Sequence, residues 1–561
     1  MKKLAALCLP LACLLVAASP AAAAGPAKRL PALTPVRSDA LSRALQRGGL
    51  SEAQYALERA RSLFRLGAVR REFGNVARPD PRAATPILRD LAARLRFLSP
   101  ADRTTARGIL ARPTDNNPQS GEHQYQPDAI LQVTCDGTKP LCVHWDSNPL
   151  NTDSPPLADV SPANGIPDAV DKTLATFIGV WNLEVGTYGF LPPLADNTSP
   201  GQATSPQTDI YIDDIGADGL FGYCTTDDPN AFNSYPYYDV SGYCAVDNDF
   251  SAAQFGTEHT ADEFRDVTVA HEFFHAIQFH YDWLEDLWLM EGTAMVMEDQ
   301  YADNVNDNVN YLNHSTFTSP GTSVDRGSGG FEYGAWIFWR FLIEDRGELT
   351  NPLIVRQVWE RAAAASTDTD GPGPDTVASD QYSLQAAVNV LTSRGINFRD
   401  AFEKFAWVNR IPSSFYEEGA SYPTARASAG YTLGPSRPTT DWHSYRLRHL
   451  ADSYVVFKPS SGASPDTLIR VRVDLPNIGY SPEANLLVRY VGGTFRLRPI
   501  ALDSAGNGSR VVSLGRGTVK EVDLVLTNAS TRMSCWAGTY YSCAGLGRDD
   551  LRTYSFRANV S

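Results

Sequence analysis

A His-Glu-x-x-His pattern is the part of the sequence whose residue types and spacing point most directly to chemistry. Residues 266–278 read DVTVAHEFFHAIQ, so that His271 and His275 stand four positions apart. Side chains with this spacing lie one turn apart on the same face of a helix. Two imidazoles in that arrangement can bind one Zn²⁺ through nitrogen atoms at about 2.0–2.1 Å. Glu272 would then lie beside the ion, where its carboxylate can act as general base toward a water molecule.

A catalytic zinc ion needs a third protein ligand and one open position. Residues 286–299 read DLWLMEGTAMVMED, and Glu291 follows His275 by 16 residues. This distance leaves room for the first helix to end, for residues 282–285 to turn, and for a second helix to return toward the ion. The sequence therefore predicts that His271, His275 and Glu291 hold the metal.

Other side chains compete for the third position. Glu285, in the predicted turn, and Glu298, on the second predicted helix, are the competitors, and Glu298, seven residues after Glu291, lies on a similar face. Glu298 could instead orient a ligand histidine or be a solvated surface charge. A third histidine would require a Gly and a His soon after His275, and His280 lies at a different spacing.

With these residues in place, the two segments HEFFH and LWLMEGTAMVME resemble the gluzincin clan, which includes thermolysin-like and aminopeptidase-type zinc enzymes. Residues 288–292, WLMEG, are similar to the Trp-Leu-Asn-Glu-Gly stretch that supplies the third ligand in the aminopeptidases, although the gap of 15 residues before Glu291 is shorter than theirs. Residues 332–335, EYGA, resemble the segment that bears their transition-state tyrosine, but the Lys that precedes its Gly is missing. The resemblance makes Tyr333 a candidate hydrogen-bond donor; a core tyrosine is the alternative.

The resemblance also implies an activity. The stretch 120–435 looks like secreted metalloproteases with HEFFHAIQ and W-x-x-E-G-x-A signatures, which implies a zincin-like catalytic domain acting on protein or peptide substrates. The exopeptidase motif of the aminopeptidases is absent, which favours cleavage within chains. Two alternatives stay open, namely an aminopeptidase and a non-catalytic surface or adhesion protein with a structural zinc site.

Calcium is a further candidate ligand. Residues 159–168 read DVSPANGIPD, which is similar to the calcium-binding turns of secreted proteins. A plain Pro/Gly turn before a helix explains the same residues. Asp209, Asp213 and Asp214 form a second acidic stretch, whose spacing does not match an EF-hand.

The start of the chain and its charge predict where the protein works. Residues 1–24 combine Lys2 and Lys3, an apolar stretch and a small-residue cleavage site, as in a secretory signal peptide. Removing it changes the formal charge from −15 to −17. An acidic chain is a poor partner for nucleic acid or anionic lipid. No later stretch is apolar enough to span a membrane, and no pattern indicates an oligomeric state.

The cysteines outside the predicted signal peptide number six and fall into three close pairs: Cys135 with Cys142, Cys224 with Cys244, and Cys535 with Cys543. An even number in an exported chain indicates disulfides. Six cysteines allow 15 pairings, of which local pairing is the simplest.

The 561 residues, 43% of them hydrophobic and 10% aromatic, predict a multidomain globular protein of the α+β class. Residues 25–115 have Ala, Leu and Arg at helical spacing and predict a helical pro-segment or an N-terminal subdomain that stays in the mature protein. Residues 116–437 mix short strands with strong helices and form the predicted metalloprotease domain. Residues 438–561 alternate β-branched runs with turns and predict an all-β sandwich.

Overall fold

The computed structural model describes residues 30, 32–33, 39–115, 123–195, 207–228, 231, 239–363 and 381–561. These residues form α-helices and several β-sheets, which confirms the α+β class. The predicted signal peptide lies outside the described residues. No helix among those described is both long and apolar enough to cross a bilayer.

Five short helices open the described chain: α1 Ala40–Gln46, α2 Glu52–Phe64, α3 Leu66–Phe73, α4 Ala84–Ala92 and α5 Pro100–Ile109. Ser51 starts α2 with a capping box, since it accepts from the Gln54 N–H and Gln54 reaches back to the Ser51 N–H. Helices α2, α4 and α5 bury their apolar faces in the same core as the central part of the chain. The amino-terminal helices are therefore packed into the body of the protein.

A five-stranded sheet follows, with strands β1 Leu131–Cys135, β2 Leu141–Asp146, β3 Thr208–Asp213, β4 Gly222–Thr225 and β5 Tyr243–Asp247. Its order is β1-β2-β3-β5-β4; β2, β3 and β5 are parallel, and the two edge strands are antiparallel to their neighbours. Helix α6, Asp168–Trp181, makes the crossover from β2 to β3 and continues into a π-helix at Asn182–Thr187.

Helices form the other side of this core: α7 Ala252–Phe255, α8 Ala261–Asp282, α9 Leu287–Tyr301, α10 Phe331–Gly334, α11 Trp336–Arg346, α12 Leu353–Ala362, α13 Ser383–Ser393 and α14 Phe398–Val408. Thr260 and Glu263 form a capping box that starts α8. Helix α8 is surrounded by α6, α9, α12 and the strands β4 and β5. Because α8 is buried nearly all round, its apolar side chains lie on more than one face of the helix.

The carboxy-terminal strands are β6 Ala429–Leu433, β7 His443–Leu447, β8 Ala451–Pro459, β9 Leu468–Asp474, β10 Pro482–Tyr490, β11 Phe495–Pro499, β12 Asn507–Ser513, β13 Val519–Asn528, β14 Met533–Ser534, β15 Leu546–Gly547 and β16 Arg552–Val560. Two sheets, β11-β10-β13-β8-β6 and β12-β9-β16-β7, enclose one hydrophobic core, and β14 and β15 form a separate pair. The first strand of these sheets begins at Ala429, before the boundary predicted at residue 438, because β6 pairs in parallel with β8.

Three disulfides join Cys135 to Cys142, Cys224 to Cys244 and Cys535 to Cys543, which confirms local pairing. Two of them link residues that face each other across neighbouring strands, at Cys135↔Cys142 and Cys224↔Cys244. The second of these bridges braces the edge strand β4, which lies against helix α8.

Candidate metal centre

Helices α8 and α9 bring the three predicted ligands together. The His271 and His275 Nε2 atoms are 3.1 Å apart, and Glu291 Oε2 lies 3.2 Å from the first and 3.5 Å from the second. Two atoms bound at 2.0–2.1 Å to a tetrahedral ion are separated by about 3.3 Å. The spacing of the three ligand atoms therefore fits a zinc ion.

Contacts on the far side of each imidazole decide which nitrogen faces the centre. His271 Nδ1 lies 2.7 Å from Glu298 Oε1, and because a carboxylate only accepts, this nitrogen carries the proton. Gln278 Nε2 donates to the Met290 carbonyl at 2.8 Å, which turns its Oε1 toward His275 Nδ1 at 2.7 Å. In the neutral rings both Nε2 atoms are then lone-pair acceptors directed at each other and at Glu291. Three converging acceptors need a positive charge between them.

Without an ion, a proton on His271 supplies the positive charge that these acceptors require. Burial opposes charge on His271, yet hydrogen bonds to Glu291 and Glu298 outweigh it and raise the pKa of His271 to about 10. Burial likewise opposes ionisation of Glu291, but the two histidines lower its pKa to about 2. Glu291 Oε1 has no hydrogen-bond partner among the described residues. The carboxylate is thus ionised, with one oxygen still free to coordinate.

Glu272 lies on α8, between the two ligand histidines in the sequence. Its side chain is buried, with the residue 2% exposed. Its Oε2 accepts a hydrogen bond from Thr85 Oγ1 at 2.8 Å. Strand β4 comes close at this point because Gly222 has no side chain: a Cβ there would lie 2.7 Å from Thr268 Cγ2 and 3.1 Å from Glu272 Cγ. The general-base candidate is therefore enclosed between α8, the edge strand and the amino-terminal helices.

Tyr333 lies in the short helix α10, beside the centre. Its ring stacks on that of His271 with centroids 6.3 Å apart, and its buried hydroxyl has no hydrogen-bond partner among the described residues. A buried hydroxyl without a partner costs about 1–3 kcal/mol. Gly334 permits this position, because a Cβ there would collide with the His314 carbonyl oxygen. The contacts place Tyr333 at the centre and leave its proton available to a ligand.

The competing acids have other partners. Glu285 Oε2 accepts from the backbone N–H groups of Ser383 and Asp286 and is not part of the cluster. Glu298 is buried and contacts His271 Nδ1, as a residue that orients this ligand histidine would, and it is not a solvated surface charge. In the turn considered for calcium, Asp159 accepts the Asn164 and Gly165 N–H groups. Calcium binding by this turn stays a prediction.

Four residues at the centre were not singled out from the sequence. Thr85 reaches it from α4 and Arg82 from the turn before α4, and Gln278 orients His275. Glu184, in the π-helix, has both carboxylate oxygens buried without a hydrogen-bond partner among the described residues. Burial raises the pKa of Glu184 well above its ordinary value, while nearby His271 acts in the opposite direction. Gln278 alone had a local signal, its place three residues after His275; the others depend on tertiary contacts.

No protein-family model and no curated protein matches the chain. Among solved structures it aligns with a family GH115 4-O-methyl-α-glucuronidase, BtGH115A, described as specific for decorated arabinogalactans. The alignment has 9% identity and a TM-score of 0.14, and it covers 56% of this chain and 46% of the glucuronidase. The chain thus spans less than half the length of that enzyme, and so low a score carries no information about fold or activity.

Proposed function

We propose that this protein is a secreted zinc-dependent endopeptidase with a zincin-like catalytic domain. One observation carries the proposal: two imidazole nitrogens of α8, the helix that also bears Glu272, and a carboxylate oxygen of α9 converge at 3.1–3.5 Å from one another. His271, His275 and Glu291 would hold the ion. A zinc ion bound in this way acts as a Lewis acid and lowers the pKa of water toward about 7.

The residues of the chain supply the remaining steps of peptide hydrolysis. Glu272 accepts the proton of the attacking water and delivers it to the leaving amine, a contribution of about 10²–10⁴ in rate. Tyr333 donates a hydrogen bond from its hydroxyl to the carbonyl oxygen as negative charge develops there. Glu298 and Gln278 hold the two imidazoles in the tautomer that leaves Nε2 free. A structural zinc site would have no use for a base such as Glu272.

Secretion is supported by two independent features. The predicted signal peptide directs export, and three disulfides among the described residues suit an oxidising compartment. The acidic net charge of −15 favours protein or peptide substrates over nucleic acid.

The test is digestion of casein and of a peptide library, with and without a chelator, by the purified protein cut after Asp115 so that the amino-terminal segment can leave. We expect internal cleavage that the chelator abolishes and added zinc restores. Glu272→Gln should retain zinc and lose activity by about 10²–10⁴-fold, whereas Glu258→Gln, an exposed acid on the loop before α8, should not change it. Cleavage that persists with chelator, or in Glu272→Gln, refutes the proposal. Release of single amino-terminal residues alone would indicate an aminopeptidase.

A further inference from the structure

The first turn of α4 lies across the candidate centre. Thr85 Oγ1 donates to Glu272 Oε2 at 2.8 Å and accepts the backbone N–H of Cys224, also at 2.8 Å. Cys224 belongs to β4, the edge strand of its sheet, and its N–H points away from β5. An extended peptide that added to this edge would need the same N–H group. Thr85 therefore makes hydrogen bonds both to the candidate general base and to the strand edge that a substrate would use.

Three residues before Thr85, a second side chain of the same segment fills a pocket next to the centre. The Arg82 guanidinium donates to Glu298 Oε1 at 2.5 Å and to Asp307 Oδ2, and its carbon lies 5.7 Å from the Phe221 ring centroid and 5.5 Å from that of Tyr311. Its side chain is only 4% exposed. Two carboxylates and two aromatic faces are the partners that a guanidinium favours.

The pocket adjoins the path of an extended peptide. Phe221 directly precedes β4, and Glu298 also holds His271, so that the pocket lies between the edge strand and the metal ligands. His259 contacts Asp307 from the other side, with 3.3 Å between Nε2 and Oδ1. Without Arg82, the buried Glu298 and the partly exposed Asp307 would each lose a cationic partner, and loss of one partner from a buried ion pair is strongly destabilising. The pocket is suited to a cation.

We propose that the pocket formed by Glu298, Asp307, Phe221 and Tyr311 is a binding site for the arginine or lysine side chain of a peptide substrate, and that Arg82 and Thr85 fill it and the adjoining cleft in the intact chain. This inference rests on the proposed peptidase function. The segment acts as an inhibitor and is not itself cleaved there, because Ala84–Ala92 is helical and cannot lie extended along β4. His271, Glu272, His275 and Glu291 are at most 2% exposed, as this occlusion requires.

The first test uses the full-length protein and needs no catalysis. Arg82→Ala opens the pocket, and N-ethylguanidinium is then added while thermal unfolding is followed in the metal-free state. We expect a saturable rise in the Tm of Arg82→Ala and none in the wild type, whose pocket is filled. Asp307→Asn added to Arg82→Ala should remove the rise, and Asp303→Asn, an exposed acid four residues earlier, should leave it. An equal effect on wild type and variant, or the same rise with butanol, overturns the site.

The second test asks whether peptides use the pocket. A recognition sequence for a site-specific protease is inserted after Asp115, and anisotropy measures the binding of labelled peptides to the metal-free protein before and after the cut. The cut protein should bind an arginine-containing peptide about 30-fold or more tightly than its glutamine analogue, since a buried charge pair is lost in the latter. The uncut protein should bind neither.

Equal binding of both peptides, or tight binding by the uncut chain, overturns the inference. The inference is also overturned if neither peptide binds to the cut chain or to the cut chain that carries Arg82→Gln. Failure of the proposed function looks different: the arginine peptide would bind with the expected preference, yet the zinc-loaded cut protein would hydrolyse no peptide.

Discussion

The contact between Glu298 and His271 predicts that the protein loses zinc affinity when Glu298 is replaced. Glu298 Oε1 is 2.7 Å from His271 Nδ1 and fully buried, so the carboxylate fixes the ring and increases the basicity of Nε2. Glu298→Gln keeps an acceptor but removes the charge. Loss of such a partner lowers metal affinity by about 10–100-fold. We expect the lower end for Glu298→Gln and the upper end for Glu298→Ala, which also removes the acceptor.

The assay is competition for zinc with a chromophoric chelator at pH 7.5, together with urea unfolding to show that the variants are folded. Glu332→Gln is the matched control, because Glu332 is also buried and interacts electrostatically with Glu291, but its Oε2 has no hydrogen-bond partner among the described residues. Its zinc affinity should stay within about threefold of wild type. Wild-type affinity in Glu298→Gln, or an equal loss in Glu332→Gln, would refute the assigned role of Glu298.

Two further predictions concern stability. Burial opposes charge on His449, but Asp325 and Asp550 raise the pKa of His449 to about 10. The two ion pairs stabilise the folded protein fully below the unfolded-state histidine pKa of about 6.5, and this stabilisation is lost as the pH rises through 10. His449→Gln should therefore lower the free energy of unfolding by about 3–5 kcal/mol at pH 6 and by much less at pH 10, and a loss equal at both pH values would contradict this. The Cys224–Cys244 bridge closes a loop of 20 residues, so the double serine variant should lose about 3 kcal/mol in urea unfolding without reductant, and no loss would contradict it.

The centre was accessible from the sequence because its geometry is local. Helical periodicity alone puts His271 and His275 on one face, and the predicted turn at 282–285 agrees with α8 ending at Asp282 and α9 beginning at Leu287. Glu291 is then carried back to the imidazoles by a simple helix-turn-helix path. Two of the three disulfides are equally local, since they join facing residues of neighbouring strands.

The amino-terminal contacts could not be predicted in this way. Thr85 and Glu272 are 187 residues apart, and the sequence around Arg82 reads as an ordinary basic turn before a helix. Nothing in local propensity reports that a charged side chain will be buried against partners from another part of the fold. The same holds for β6, whose pairing with β8 moves the start of the sandwich sheets to Ala429. Removal of the amino-terminal helices on maturation stays a prediction.

The most direct test of the account is the metal content and ligand environment of the purified protein, measured by elemental analysis and X-ray absorption at the zinc edge. We expect one zinc ion per chain, bound by two imidazole nitrogens and a carboxylate oxygen at about 2.0–2.1 Å, with one non-protein position. Glu291→Gln should remove the carboxylate contribution from the spectrum. A chain that binds no zinc, or a spectrum that Glu291→Gln leaves unchanged, would contradict the central claim.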